Sequence, residues 1–484
     1  MFKQLLATKH PHAAHEEANG LSLRRTRGPW GLTALGIGAV IGGGIFVITG
    51  QAAANHAGPA IMLSFVLAAI CCAFCAMAYA EFASMVPVSG SAYTYTYATF
   101  GELSAWFIGW MLVLEYGVSA SAVAVSWTGY FLSLLSHFDI YLPKALVSAP
   151  LDAQLRPTGA IANIPAAVLV LLLTWLCYVG IRKSSAMNMA MVILKTGLIL
   201  LVIFAGWKYV DPANWTPFIP ANEGPGKYGF EGVLRGAAMV FFAYIGFEAV
   251  SVAAQESHRP QRDMPIGMLL SLVICTVLYI AMAAVMTGLV PYQLLGTAEP
   301  VVTAVAAHPQ LDWLRIIVEV GALIGLSSVV LVMVIGQPRI FMIMGRDGLL
   351  PPVFTRIHPK YRTPHINTVI TGIGIALLAA LVPLDILGEL TSMGTLIAFA
   401  AVCAGVLVLR RTQPVLPRPF RIPMAWLVCS LGVLSCIALL TAMTLHNWML
   451  MGVWTVTGFI IYFCYGMRHS KLNAANKASK ASKG

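Results

Sequence analysis

Along this chain, apolar residues come in long unbroken runs separated by short polar interruptions, with no alternation of apolar and polar positions inside a run. Barrel strands would alternate over about ten residues. Continuous runs near 20 residues, the length that crosses a hydrocarbon core of roughly 30 Å, predict helices instead. Twelve such segments occur, at 30–54, 60–86, 101–135, 163–181, 186–207, 230–254, 266–290, 313–345, 367–382, 386–409, 424–444 and 448–467. They are called segments 1 to 12 below. The fold class they predict is an all-α integral membrane protein with twelve transmembrane helices.

Two segments carry a weakness in their middle. Segment 1 contains GAVIGGGIFVITG, residues 38–50, with Gly42, Gly43 and Gly44 at its centre, and segment 6 contains FFAYIGFEA, residues 241–249. Glycine costs a helix interior roughly 1 kcal/mol relative to alanine. One explanation is close helix approach, for which small residues serve in membranes, and Gly38 with Gly42 forms a GxxxG. The other is a deliberate break. The two weak points lie five segments apart, and because five is odd the second set of five must run inverted relative to the first. Paired interrupted helices in inverted repeats point to the midplane site of a secondary transporter. Freed amides at the start of a half-helix suit a carboxylate, and freed carbonyls suit an ammonium group. Such exposure is tolerable in a bilayer only where protein, water or ligand satisfies it.

This division gives a polar N-terminal segment 1–29, a first five-helix repeat 30–207, a second, inverted repeat 230–409, helices 11 and 12 over 424–467, and a basic tail 468–484. The first 20 residues are polar, without the apolar core of a cleavable signal. Segment 1 is therefore expected to direct insertion.

Composition agrees with the pattern: 58% of residues are hydrophobic and only 10% charged, against roughly 25% charged in soluble domains, and mean hydropathy is +0.80. The net charge of +11 would suit nucleic acid if it were clustered. With both termini cytoplasmic, however, 23 of the 30 Lys and Arg fall inside and six outside (Lys144, Arg156, Lys208, Lys227, Arg235, Arg315). That bias is the positive-inside rule. The charge reports topology in a cell membrane and not a nucleic-acid partner.

The remaining cation, Lys195, lies about ten residues from either end of segment 5, roughly 15 Å from each interface at 1.5 Å per residue. An intramembrane ionisable group is a functional candidate by default. Lys195 is a candidate for proton coupling or for cross-linking helices 1, 5 and 8 through main-chain carbonyls. Glu115, in the middle of segment 3, could take a proton, favour a cationic side chain or hold a neighbouring helix. Glu248, just past the segment 6 break, could take a proton or cap the broken ends. Glu319 reads as a gate or packing group, and Glu81 and Glu102 as solvated cytoplasmic ends. The nine cysteines read as small packing residues with no metal-site spacing, and the histidines lie in tails, loops or segment ends. No hydrolase, zinc-protease or Walker motif occurs. An enzyme, a cofactor and a metal are therefore not expected.

Several motifs occur in an order that resembles the amino acid-polyamine-organocation superfamily, in particular its bacterial cationic amino acid transporter subgroup. They are IGGGIF in segment 1, AYAEFASMVPVSGSAYTY at 78–95, FFAYIGFEAVSVAAQES in segment 6, RPQRDMPIGM after it and GRDGLLP after segment 8. The resemblance spans roughly residues 22 to 470. It implies a five-plus-five inverted-repeat fold with two added C-terminal helices, and alternating access of an L-amino acid site. It further implies that the amides of Gly42, Gly43 and Gly44 bind the substrate carboxylate, and that the carbonyls of Ile41, Phe242, Ala243 and Ile245 surround its amine. Phe242 is implied as an aromatic gate. Lys195 matches the lysine that stands in proton-coupled members where sodium-coupled relatives bind a cation, so protons are the implied partner. Met333 resembles a position lining the side-chain pocket, where its bulk favours small or medium neutral substrates, whereas Glu115 would favour cationic ones. The expectation is a proton-coupled amino acid permease, with an exchanger or, at greater distance, an ion channel as alternatives. The preferred amino acid and any accessory membrane subunit stay open.

Overall fold

A computed structural model describes residues 7–8, 28–85, 91–152, 154–180, 185–252, 257–361 and 363–473, without the side chains of 185–188, 249 and 252. Most of the N-terminal segment and of the basic tail, and parts of the 78–95 and 241–257 motifs, lie outside this description. The described residues are helical apart from loops and two isolated bridges. Helices fall over all twelve apolar stretches, the largest boundary difference being segment 7, which begins at Pro260 and runs to Leu289. Seven described helices are long and apolar enough to cross a membrane. Four more apolar helices are shorter: Pro29–Val40, Ile164–Val179, His365–Leu381 and Ala425–Thr441.

Local signals explain the ends. Segment 4 starts where the Asn163 side chain accepts from the Ala166 amide, with Pro165 in the first turn, and stops at Gly180 in a left-handed conformation, which glycine adopts at little cost. Thr444 caps segment 12 in the same way by accepting from Asn447.

The packing follows an offset of five. Segment 2 lies against segment 7, segment 3 against segment 8 and segment 4 against segment 9, while the broken parts of segments 1 and 6 touch each other. Segments 10 and 11 pack together and against segment 2. A seam of buried rings marks the centre, where Tyr79 of segment 2 meets Tyr95, Phe247 and Phe399 at centroid distances of 5.3–6.2 Å.

Several charged residues sit differently from their expected places. Arg235, counted outside, is instead buried within the first half of segment 6. It donates to Glu389 of segment 10 and to the Ala442 carbonyl at 2.9 Å, while Asn447 of segment 12 donates to the same carboxylate. Glu81 and Glu102 are not solvated. Glu81 accepts from Arg410 at 2.9 and 2.5 Å and from the Ile422 amide at 2.9 Å. Glu102 accepts from Tyr97, Tyr462, Ser470 and Asn473. Glu81 and Glu102 tie segments 10 and 12, the chain before segment 11 and the C-terminal turn onto segments 2 and 3, and every partner except Tyr97 lies too far along the chain for spacing to reveal it. Glu319 clamps segment 3 to segment 8, accepting from Ser133 at 2.5 Å and facing His137 at 3.0 Å.

Three of the buried cysteines come together in space. Cys71 and Cys75, one turn apart on segment 2, share a helical face, and segment 11 brings Cys436 to within 3.7 Å of both.

The Arg235–Glu389 pair yields a stability prediction. Removing one partner of a buried pair leaves an uncompensated charge and costs about 3–5 kcal/mol, whereas replacing both with apolar groups is often neutral. Arg235→Ala should therefore lower the melting temperature of the detergent-solubilised protein strongly, and the double change Arg235→Met with Glu389→Leu should recover most of the loss. A single variant that melts with the wild type would show the pair to be inert.

Candidate functional site

Segment 1 is helical over Pro29–Val40, breaks at Ile41 with φ −71° and ψ 103°, and resumes at Gly44. Segment 6 is helical over Gly229–Val240 and tightens over Phe241–Tyr244. It then turns extended at Ile245 and passes through Gly246 at φ +125° before Ala249–Val252. Only glycine reaches the Gly246 conformation without strain.

The glycines have a second reason. A Cβ on Gly44 would lie 2.3 Å from the Ala243 Cα, and one on Gly246 would lie 2.8 Å from the Ala39 carbonyl carbon. The two breaks therefore meet backbone to backbone. Both sequence readings of these glycines hold together, since the break and the close approach are one feature. Gly42 and Gly43 face side chains, Val329 of segment 8 at 3.2 Å and Ser126 of segment 3 at 3.1 Å from a hypothetical Cβ.

Breaking a helix releases backbone groups that must find partners. Lys195, 1% exposed, donates from Nζ to the carbonyls of Gly38 at 2.9 Å and Ile41 at 3.0 Å. Its aliphatic stem lies at Gly325 of segment 8, 3.4 Å from where a Cβ would sit. The ammonium group thus reaches main-chain carbonyls of segment 1 at the break itself, while only the aliphatic stem approaches segment 8. Tyr279 of segment 7 donates to the Val40 carbonyl at 3.0 Å, and Tyr130 of segment 3 to that of Phe46 at 2.6 Å. On segment 6, the Glu248 carboxylate accepts from the Gly246 amide at 3.0 Å. Its capping role is therefore occupied. Among the described residues, the amides of Gly42, Gly43 and Gly44 have no carbonyl partner.

Two of the implied carbonyl acceptors are already engaged. The Ile41 oxygen accepts from Lys195, and the Phe242 oxygen accepts from the Ile245 amide at 3.3 Å. Each keeps a second lone pair. Phe242, Ala243 and Ile245 are all buried, and Ala243 is the residue that touches Gly44.

Met333 is buried on segment 8, one helical turn past Val329, so the two share a face and Met333 follows the residue that covers Gly42. Glu115 occupies a π-turn, Leu114–Val118, within segment 3, a widening often found at functional positions. Its carboxyl faces that of Glu248, with Thr395 of segment 10 alongside. Among the described residues, neither Glu115 oxygen nor Glu248 Oε1 has a donor.

Sequence reasoning missed Val329, Ser126, Tyr279 and Tyr130. Nothing in their local pattern separates them from other apolar or small helix residues; only the fold brings them to the breaks.

Residues 28–467 match the family model described as Amino acid permease. Among similar proteins, the branched-chain amino acid permease BcaP of Bacillus subtilis (strain 168) is 47% identical over 453 residues, 93% of this chain and 95% of that protein. The methylthioribose transporter of the same organism is 44% identical over 457 residues, 94% and 96%. The vacuolar cationic amino acid transporter 4 of Arabidopsis thaliana is 37% identical over 384 residues, 79% and 63%.

The backbone contact makes the glycines testable apart from any ligand. Gly44→Ala inserts a methyl where Ala243 leaves no room, and overpacking costs about 1–3 kcal/mol or more. Gly197, on segment 5, has open space around a Cβ, so Gly197→Ala should be neutral or stabilising by up to about 1 kcal/mol. Melting curves of the two variants in detergent should separate accordingly, and equal tolerance would contradict the contact.

Proposed function

Since this chain belongs to the amino acid permease family, and is accordingly a membrane transporter rather than an enzyme, we propose that it is a proton-coupled L-amino acid permease of the plasma membrane. It works by alternating access, with both termini cytoplasmic. The observation that carries this reading is the junction of two broken helices, where the amides of Gly42, Gly43 and Gly44 lie, among the described residues, without carbonyl partners and Gly44 sits against the Ala243 main chain of segment 6. A zwitterion completes that junction. Its carboxylate takes the amides, helped by the positive end of the half-helix, and its ammonium group takes lone pairs from Ile41, Phe242, Ala243 and Ile245.

Twelve crossings arranged as two inverted repeats of five plus two fit the packing of segments 1 to 4 on segments 6 to 9. In that arrangement the substrate rests between segments 1, 3, 6 and 8, with Phe242 as the gate.

Proton coupling rests on Lys195. Its bonds to Gly38 and Ile41 hold the break closed on one side, and an arriving ammonium group competes for the Ile41 oxygen. Loss of the lysine's proton removes one hydrogen-bond donor and the positive charge that would repel that group. Glu115 serves as a second proton site, because one proton between Glu115 and Glu248 supplies the donor that their oxygens lack.

Small or medium neutral side chains are the preferred cargo. Met333 fills space on the segment 8 face beyond Val329, and a Glu115 carboxyl committed to Glu248 is a weak partner for a cationic side chain. The relatives divide along this line, one being named for branched-chain and another for cationic amino acids.

Reconstitution in liposomes tests the whole reading. An inward proton gradient should drive accumulation of a neutral amino acid without sodium, and Lys195→Ala should abolish that accumulation while leaving counterflow. Undiminished gradient-driven uptake by the variant would refute the coupling role, and transport that requires amino acid on the opposite side would make the protein an exchanger. Met333→Ser should raise arginine and lysine uptake relative to wild type; an unaltered substrate profile would remove the steric argument.

A further inference from the structure

The thiols of Cys71, Cys75 and Cys436 all lie within 4.8 Å of one another, wholly buried. The Cys71–Cys436 and Cys75–Cys436 sulfur separations are both 3.7 Å, and Cys403 of segment 10 lies 3.8 Å from Cys75. Sulfurs bound to a common ion at about 2.3 Å sit roughly 3.8–4.0 Å apart in tetrahedral or trigonal arrangements. Two edges of the triangle therefore already match a coordination polyhedron.

The ligand set decides which ion. All three donors are soft sulfurs, which select soft ions such as Cu(I) over hard ones. A structural zinc site takes four ligands in a tetrahedron, but Cys403 lies outside the radius that the other three share, and among the described residues no histidine or carboxylate joins the group. Monovalent copper is content with fewer ligands. Replacing one thiol proton by a monovalent ion also leaves the site's net charge unchanged, which matters where an uncompensated charge is costly.

We propose that Cys71, Cys75 and Cys436 form a binding site for a soft monovalent metal ion of the Cu(I) class, cross-linking segment 2 to segment 11. On binding, one Cys S–H gives up its proton to solvent and its sulfur bonds the metal, the other two sulfurs donate lone pairs, and no electron is transferred. The neighbouring lipid-side residues Leu67, Ile70 and Ile437 are exposed, so the site lies one layer beneath the surface of the helix pair. Cys75 is one turn from Tyr79, whose ring packs on Phe247 beside the segment 6 break. An ion here therefore fastens segment 11 to the helix that supports the break.

The test reads binding and is independent of transport. Reduced, detergent-purified protein carrying Cys464→Ala, which removes an exposed thiol, is titrated anaerobically with Cu(I) against a coloured chelator, and in parallel with Ag(I) as a redox-inert probe. One ion per chain is expected for both, with a rise in melting temperature. Loss of outer-shell partners alone weakens metal sites about 10–100-fold, so Cys436→Ala and Cys71→Ser should each weaken binding at least that much, whereas Cys275→Ala, outside the triangle, should leave it unaltered. Melting curves without metal establish that each variant is folded. Absence of binding by the reduced protein, or retention of one ion by the folded triple variant Cys71→Ala, Cys75→Ala, Cys436→Ala, would overturn the proposal.

Discussion

Everything distinctive about this structure depends on the cost of leaving a backbone amide or carbonyl without a partner in hydrocarbon, several kcal/mol for each group. An unbroken helix avoids that cost internally. Segments 1 and 6 do not, and the fold around them answers group by group. Lys195 takes two carbonyls of segment 1, Tyr279 and Tyr130 take two more, and Glu248 takes the amide of Gly246. The amides of Gly42 to Gly44 are the remainder. That remainder is where the proposed zwitterion binds.

The glycines show how one residue type can satisfy two demands. Gly246 requires a backbone conformation that side chains resist, and Gly44 requires room for another main chain. Because the two breaks touch through backbone, a displacement of one is felt directly by the other with few side chains between to absorb it. Main-chain contact also places the half-helix ends side by side, so their partial charges act on one small volume instead of two separate ones.

Charges elsewhere obey the same rule of full satisfaction. Arg235 has Glu389 and the Ala442 carbonyl, Glu81 has Arg410 and the Ile422 amide, and Glu102 is surrounded by four donors. These networks hold segments 10 to 12 and the C-terminal turn to segments 2, 3 and 6. Against them the Glu115–Glu248 pair stands out, since two carboxyls face each other and Glu248 Oε1 and both Glu115 oxygens lack a partner among the described residues. A proton is the smallest group that resolves the arrangement, which is why the pair belongs with Lys195 in the coupling proposal.

The amino-acid sequence by itself determined that the chain is a membrane protein of helices, where those helices run, and that segments 1 and 6 are weak at their centres. These are local properties: each helix must satisfy its own backbone, so its apolar length and its glycines are written within its own twenty or so residues. Lys195 was legible for the same reason, as a charge at a depth where none is neutral to the fold. Only the tertiary structure decided that Lys195 reaches Ile41, that Glu115 meets Glu248, that Val329 and Ser126 cover the glycines and that Cys436 joins Cys71 and Cys75. Contacts between residues separated by more than eighty positions depend on how every helix packs at once, and no spacing along the chain encodes them. Arg235 marks the boundary most clearly: its charge suggested a place outside, yet a carboxylate 154 residues away makes the interior hospitable to it.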